Sequence, residues 1–267
     1  ERHLSPSDEP LINSVLHSAA RYAIDGALIE VQSDLDVSFG LGSSSAVRLA
    51  AHLGLLAFAK QNVELTADEQ WEAARDAWRL QKNQQGFASG YDLVTQLHGG
   101  FIEWTADYEC WPGSIRSLDL GWLQEWIHPY VGGTGAPTGQ IGGSVREWLD
   151  EHKLWPELSL RTDRLIDSIL GKNTENIVMS NRSHRALFQK APFYPKAIDK
   201  SLASLSGFDR SWTFKTTGAG GEDAILLIGH TSTLAGADEE LRRMGWWPLS
   251  CPWTAQGGLV RWKDLGT

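Results

Sequence analysis

The stretch Gly40-Leu41-Gly42-Ser43-Ser44-Ser45-Ala46 constrains this chain more than any other. Two glycines permit a backbone path that a Cβ would forbid. The turn then opens directly into a long apolar segment that reads as a helix over Ala46–Lys60. Serine hydroxyls and unpaired backbone N–H groups therefore gather at the positive end of a helix, which is a ready anion site. The loop is not a Walker A motif, because no Gly-Lys-Ser/Thr follows. The dinucleotide fingerprint fails on spacing. The plainer alternative is a serine-capped helix after a tight turn.

Two further glycine-containing loops carry polar chemistry. Ser89-Gly90-Tyr91-Asp92 places a carboxylate at the start of a short predicted helix over Asp92–Leu97. There the dipole and free N–H groups favour the ionised form, and such a carboxylate could orient a substrate hydroxyl or accept its proton. An ordinary Asp N-cap is the alternative. Lys215-Thr216-Thr217-Gly218-Ala219-Gly220-Gly221-Glu222-Asp223 delivers a lysine from a strand into three glycines. Lys215 is a point charge suited to phosphate, and the glycines let backbone approach a ligand. A hairpin-like turn explains the same residues more simply. The three loops together favour an anionic ligand.

Composition narrows the partners. The formal charge of −9 over 267 residues argues against a general nucleic-acid binder. Leu49–Ala59, interrupted by His52, is too short to span a bilayer, so no membrane association is expected. The two cysteines, Cys110 and Cys251, exclude a disulfide scaffold, and the eight histidines show no ligand spacing. The start, Glu-Arg-His-Leu-Ser-Pro, has neither a basic n-region nor an apolar h-region, so a cytoplasmic protein is expected. It also lacks Met, so an N-terminal piece of the gene product is expected upstream.

Along the chain, helices are expected over Leu11–Ala23, Thr66 to about Gln81, Ser144–Glu151, Leu158–Leu170, Ile177–Lys190, Pro195–Leu205 and Leu234–Met244. Strands are expected over Ala27–Val31, Phe101–Trp104, Glu125–Val131, Trp212–Lys215, Ala224–Ile228, Trp246–Cys251 and Gly258–Trp262. Segregated helices and strands predict an α+β chain in two halves, 1–120 and 121–267.

The order of these three loops, with Gly99-Gly100 after the second, resembles the GHMP kinase superfamily. Finer features resemble its phosphomevalonate kinase branch: Gly133-Thr134-Gly135-Ala136-Pro137-Thr138, Gly218-Ala219-Gly220-Gly221-Glu222-Asp223, and Met244-Gly245-Trp246-Trp247-Pro248-Leu249. The resemblance implies a two-lobed α+β fold, with an N-terminal ribosomal-S5-like lobe and a C-terminal ferredoxin-like lobe. The active site would lie in the cleft between them. It implies ATP and Mg²⁺ as cofactors and a small-molecule phosphoryl acceptor, 5-phosphomevalonate foremost, as in isoprenoid precursor synthesis. Mevalonate, a sugar or a sugar phosphate is the alternative acceptor, as is a homologue that binds nucleotide or metabolite without catalysis. A homodimer is compatible with it.

It also implies residue roles. Gly40, Leu41, Gly42, Ser43, Ser44 and Ser45 would wrap the triphosphate, with Ser44 holding Mg²⁺. Asp92 would be catalytic. Lys215 would be catalytic on the acceptor side, lined by Ser89, Gly90, Gly218, Ala219, Gly220, Gly221 and Asp223. Two departures stand out. The family's initial strands and their Pro-Gly-Lys loop are not in this sequence. Gln81 also stands where mevalonate kinases carry a Mg²⁺-binding Glu, and a neutral amide holds Mg²⁺ less strongly.

Overall fold

The computed structural model describes residues 10–30, 41–62, 64–132, 138–217, 224–250 and 257; for 10–11 and 138–143 it describes the backbone alone. The chain divides into two compact units, the first including Gly42–Leu120 and the second including Gly121–Pro252.

Among the described residues the first unit holds three long helices, a short one and a hairpin. Helix α1 is Pro10–Arg21, α2 Ser43–Lys60, α3 Ala67–Gln85 and α4 Tyr91–His98; β1, Phe101–Ala106, pairs antiparallel with β2, Gly113–Leu118. Helix α3 starts where Thr66 and Glu69 form a reciprocal capping box. Glu69 N donates to Thr66 Oγ1 at 3.3 Å, and Thr66 N donates to Glu69 Oε2 at 2.8 Å. The core takes Leu49, Leu53 and Leu56 from α2, Ala73, Ala77 and Trp78 from α3, and Leu93, Val94 and Leu97 from α4. Small alanines on α3 let α2 and α4 approach it closely. Trp111 closes this core, its ring stacked on Trp78 with centroids 5.3 Å apart.

The same unit buries an unusual polar set. Arg48 is 1% exposed; its Nη1 donates to Gln84 Oε1 at 2.6 Å and to Ser14 Oγ at 3.3 Å, joining α1, α2 and α3. His52 is 0% exposed and neither ring nitrogen has a hydrogen-bond partner. Burial, then the neighbouring His17, Arg21 and Arg48, pulls its pKa down to about 4.

The second unit is a four-stranded antiparallel sheet with helices. Strand β3 is Ile127–Val131, β4 Trp212–Thr216, β5 Ala224–Gly229 and β6 Trp247–Pro248, in spatial order β4-β5-β3-β6. Strand β5 runs against β4 from Ile225↔Thr216 to Gly229↔Trp212, and against β3 from Ala224↔Val131 to Ile228↔Ile127. Its near-continuous apolar sequence, Ala-Ile-Leu-Leu-Ile, suits this position between two strands. Helices α5 (Thr138–Glu151), α6 (Trp155–Leu170), α7 (Thr174–Phe188), α8 (Lys196–Leu202), α9 (Thr231–Leu234) and α10 (Asp238–Arg243) complete the unit. One cluster packs Trp212, Phe214, Ile225 and Leu227 of the sheet against Ile198, Leu202 and Leu241. A second joins Trp148, Leu149, Ala191 and Tyr194.

Several boundaries differ from the expectation. Residues Ala27–Glu30 form no strand; Leu28 is 100% exposed, and among the described residues no strand pairs with this segment. Apolar alternation cannot hold a strand without a hydrogen-bonding neighbour. Strand β2 was not anticipated, because its sequence, Gly-Ser-Ile-Arg-Ser-Leu, is half polar and one face stays wet. Helix α2 begins three residues earlier than the apolar run. The expected Leu234–Met244 helix is two short helices. The strand expected at Gly258–Trp262 lies outside the described residues, and among the described helices none is long and apolar enough to cross a membrane.

Candidate functional site

Two helix N-termini meet in the first unit, and each is opened by a glycine in the left-handed region. Gly42, the N-cap of α2, has φ 81°, and Gly90, the N-cap of α4, has φ 82°. A Cβ on Gly90 would sit 2.8 Å from both Trp111 Nε1 and Trp78 Cδ1, so the stacked tryptophans admit only glycine there. A Cβ on Gly42 would meet Gln96 Nε2 at 3.1 Å. That amide is the tie between the two helices: Gln96 Nε2 donates to Gly42 O at 2.9 Å.

Asp92 stands in the first turn of α4 with both oxygens engaged. Oδ1 accepts from Leu93 N at 2.9 Å, and Oδ2 accepts from the Ser45 hydroxyl on the first turn of α2. Ser45 is 1% exposed, so a buried hydroxyl fixes the rotamer of a half-buried carboxylate. One turn further along α2 lies the buried Arg48. Burial lowers its pKa, and the Asp92 charge acts against that shift, so the guanidinium and the carboxylate feel one another.

The serine run divides by role. Ser43 and Ser45 are buried, whereas Ser44 is exposed. The N–H groups of the first turn of α2 have no partners within the helix and carry its partial positive charge. Neither Gly42 nor Gly90 adds a capping side chain that would compete for those groups. This geometry fits a phosphate chain. It also fits Mg²⁺, which takes hard oxygen ligands and is commonly held by one or two protein oxygens plus substrate phosphates. Ser44 Oγ and the Asp92 carboxylate are the hard donors here. Gln81 is 6% exposed with its side-chain carbonyl lacking a hydrogen-bond partner. Among the described residues no group of three or more His, Cys, Asp or Glu forms a metal cage.

The expected site residues are thus brought together in part. Gly42, Ser43, Ser44, Ser45, Gly90 and Asp92 converge; Leu41 and Ser89 flank them, each half-buried. Gly40, Gly218, Ala219, Gly220, Gly221 and Asp223 lie outside the described residues, as does 133–137 of the Gly133–Thr138 loop. Lys215 is on β4 of the second unit, where Nζ donates to Thr216 O at 3.1 Å. The protein around it lowers its pKa by desolvation, and the residue's open contact with solvent limits that shift. Sequence reasoning placed Ser45 in the loop without seeing that it grips Asp92, and it missed Gln96 and Arg48. The available signals were spacing: Gln96 is one turn from Asp92 on α4, and Arg48 is one turn from Ser45 on α2.

Residues 11–100, which contain this arrangement, match the protein family described as the GHMP kinases N terminal domain. Among solved structures the chain resembles the mevalonate kinase of Methanococcus jannaschii, at 18% identity and a TM-score of 0.65, over 90% of this chain and 73% of that one. It also resembles a putative sugar kinase from Campylobacter jejuni, at 13% identity and a TM-score of 0.61, over 95% of this chain and 74% of that one. No curated protein matches it. The mixed helix-and-sheet chain therefore shares its fold with these kinases, and about a third of it matches a GHMP kinase domain family.

Proposed function

We propose that this protein is an ATP- and Mg²⁺-dependent small-molecule kinase whose acceptor is 5-phosphomevalonate, giving 5-diphosphomevalonate for isoprenoid precursor synthesis. The observation that carries the kinase reading is the Ser45 hydroxyl donating to Asp92 where two helix N-termini meet. The match of residues 11–100 to the GHMP domain family supports it. The choice of acceptor rests on the sequence motifs alone: Gly133–Thr138, Gly218–Asp223, Met244–Leu249, and Gln81 in place of a carboxylate.

Phosphoryl transfer asks for in-line positioning and neutralisation of charge more than for covalent chemistry. In this reading the N–H groups of Ser43, Ser44 and Ser45 receive the ATP phosphates. The exposed Ser44 hydroxyl and the Asp92 carboxylate are the oxygens that would hold Mg²⁺, which supplies charge neutralisation on the phosphates. Asp92, fixed by Ser45 and Leu93 N, keeps lone pairs for the acceptor oxygen. It takes the proton of a hydroxyl acceptor. With a phosphate acceptor, whose attacking oxygen is already anionic, it acts by positioning. The buried Arg48 guanidinium has a favourable charge interaction with Asp92.

The test is phosphorus NMR of the protein with ATP, Mg²⁺ and a panel of mevalonate, 5-phosphomevalonate, galactose and a heptose phosphate. A new diphosphate resonance with 5-phosphomevalonate alone is expected. A product with a different acceptor would keep the kinase and overturn the acceptor. ATP binding without transfer to any acceptor would overturn the kinase reading and leave a nucleotide-binding protein.

A further inference from the structure

The second unit contains a cavity of about 200 Å³ walled by α5, α7, the Phe193-Tyr194-Pro195 turn and β4. Its body is apolar. Phe188, Phe193 and Phe214 line it, together with Val145 and Pro195. One part of the wall is polar: Lys215, His184, Arg185, Asn181, Tyr194 and Thr216. Among the described residues no carboxylate lines the cavity.

The polar groups are unevenly satisfied. Asn181 Nδ2 donates to Phe214 O at 3.0 Å, which fixes α7 on β4. Arg185 is held by Asp209, by Asp199 at 3.7 Å and by Thr213 Oγ1 at 3.1 Å, so its charge is neutralised, yet its Nε is buried without a partner. The Tyr194 hydroxyl is also buried without a hydrogen-bond partner, in a residue only 9% exposed. Burial, and then the nearby Asp199 carboxylate, raise the Tyr194 pKa, so this hydroxyl stays a donor at neutral pH. Lys215 has one backbone acceptor and, among the described residues, no carboxylate in an ion pair. Burial, then Lys215 and Arg161, brings the His184 pKa to about 4, so its ring is neutral at pH 7 and close enough to Lys215 to sense the ammonium.

Buried donors left unpaired are costly unless something accepts from them. Water could satisfy the donors and solvates the exposed Lys215 ammonium, but it does not match the three phenyl walls. We infer that this cavity is a binding site for a small organic monoanion with an apolar body, its charged end held by Lys215 and the Tyr194 hydroxyl and its carbon body against Phe188, Phe193 and Phe214. A carboxylate fits better than a phosphate ester, because one cation faces it and the remaining surface offers few donors. The site lies wholly within the second unit and stands whether or not Asp92 transfers phosphate.

Titration calorimetry on the full chain, without nucleotide, tests it. The probes are benzoate, isovalerate, the neutral benzamide, and inorganic phosphate. Benzoate and isovalerate should bind, with benzamide and phosphate each about tenfold weaker or more. Lys215→Met, at an exposed position, should lower benzoate affinity by about tenfold with an unchanged melting temperature. Val145→Trp, reaching in from α5, should abolish binding by filling the cavity. In proton NMR, a seated carboxylate should move the His184 titration upward from about 4. Absence of benzoate binding to the folded protein, undiminished binding in Lys215→Met, or phosphate binding as tight as benzoate would each overturn the inference.

Discussion

The polar groups named at the two candidate sites are paired to different degrees. In the first, the chemistry-bearing groups are tied to one another: both oxygens of Asp92 accept hydrogen bonds, Ser45 is committed to it, and Gln96 links one helix N-terminus to the other. In the second, the polar groups around the cavity keep unmet capacity at Lys215 Nζ, Tyr194 Oη and Arg185 Nε. Groups held in one geometry suit a step in which charge moves and little reorganisation can be tolerated. Groups left open suit recognition of something that brings its own acceptor.

The comparison breaks most sharply at Asp92. Asp92→Asn keeps the shape and removes the charge that positions the acceptor and would hold Mg²⁺, so kcat should fall by about a thousandfold while the melting temperature holds. Steady-state kinetics with 5-phosphomevalonate would read this. A fall smaller than about tenfold would remove Asp92 from the reaction. Ser45→Ala should act through Asp92 and lower kcat by about tenfold, and Ser45→Thr should restore part of the loss. Neither change should alter benzoate affinity in the second unit.

Stability tests come next in size. Gly90→Ala must place a Cβ against two stacked tryptophans in a left-handed backbone, and should cost about 3 kcal/mol in chemical denaturation. Gly42→Ala meets only the end of the Gln96 side chain and should cost about 1 kcal/mol. Equal costs at the two positions would mean that the tryptophan stack yields.

Acid also probes both units. The folded pKa of His52 is about 4 against 6.5 in a free imidazole, so the fold prefers it neutral. Its contribution is present above pH 6.5 and is lost as pH falls toward 4, where the loss reaches about 3 kcal/mol. His52→Leu should flatten that part of the stability profile. His184 shifts in the same direction, with a smaller effect because it is only half-buried. Replacing Thr66 by Ala should show the smallest effect, about 1 kcal/mol from the lost capping box.

Sequence alone determined what depends on near neighbours. Gly40-Leu41-Gly42 followed by serines announces a helix N-terminus with free N–H groups, and α2 begins at Ser43. Thr66 with Glu69 marks the start of α3, and the apolar run Ala224–Ile228 marks a central strand. These signals are local, because capping and periodicity act over a few residues. The tertiary structure decided what spans many residues. Ser45 reaches Asp92 across 47 positions, and Gln96 reaches Gly42 across 54. Whether Ala27–Glu30 became a strand depended on a partner that its own alternation cannot specify. The cavity beside Lys215 joins α5, α7 and β4, elements far apart in the chain, and no motif marks it. Contacts of that kind arise only when separate hydrophobic faces close on one another, and the polar groups they trap then take whatever partners the packing leaves.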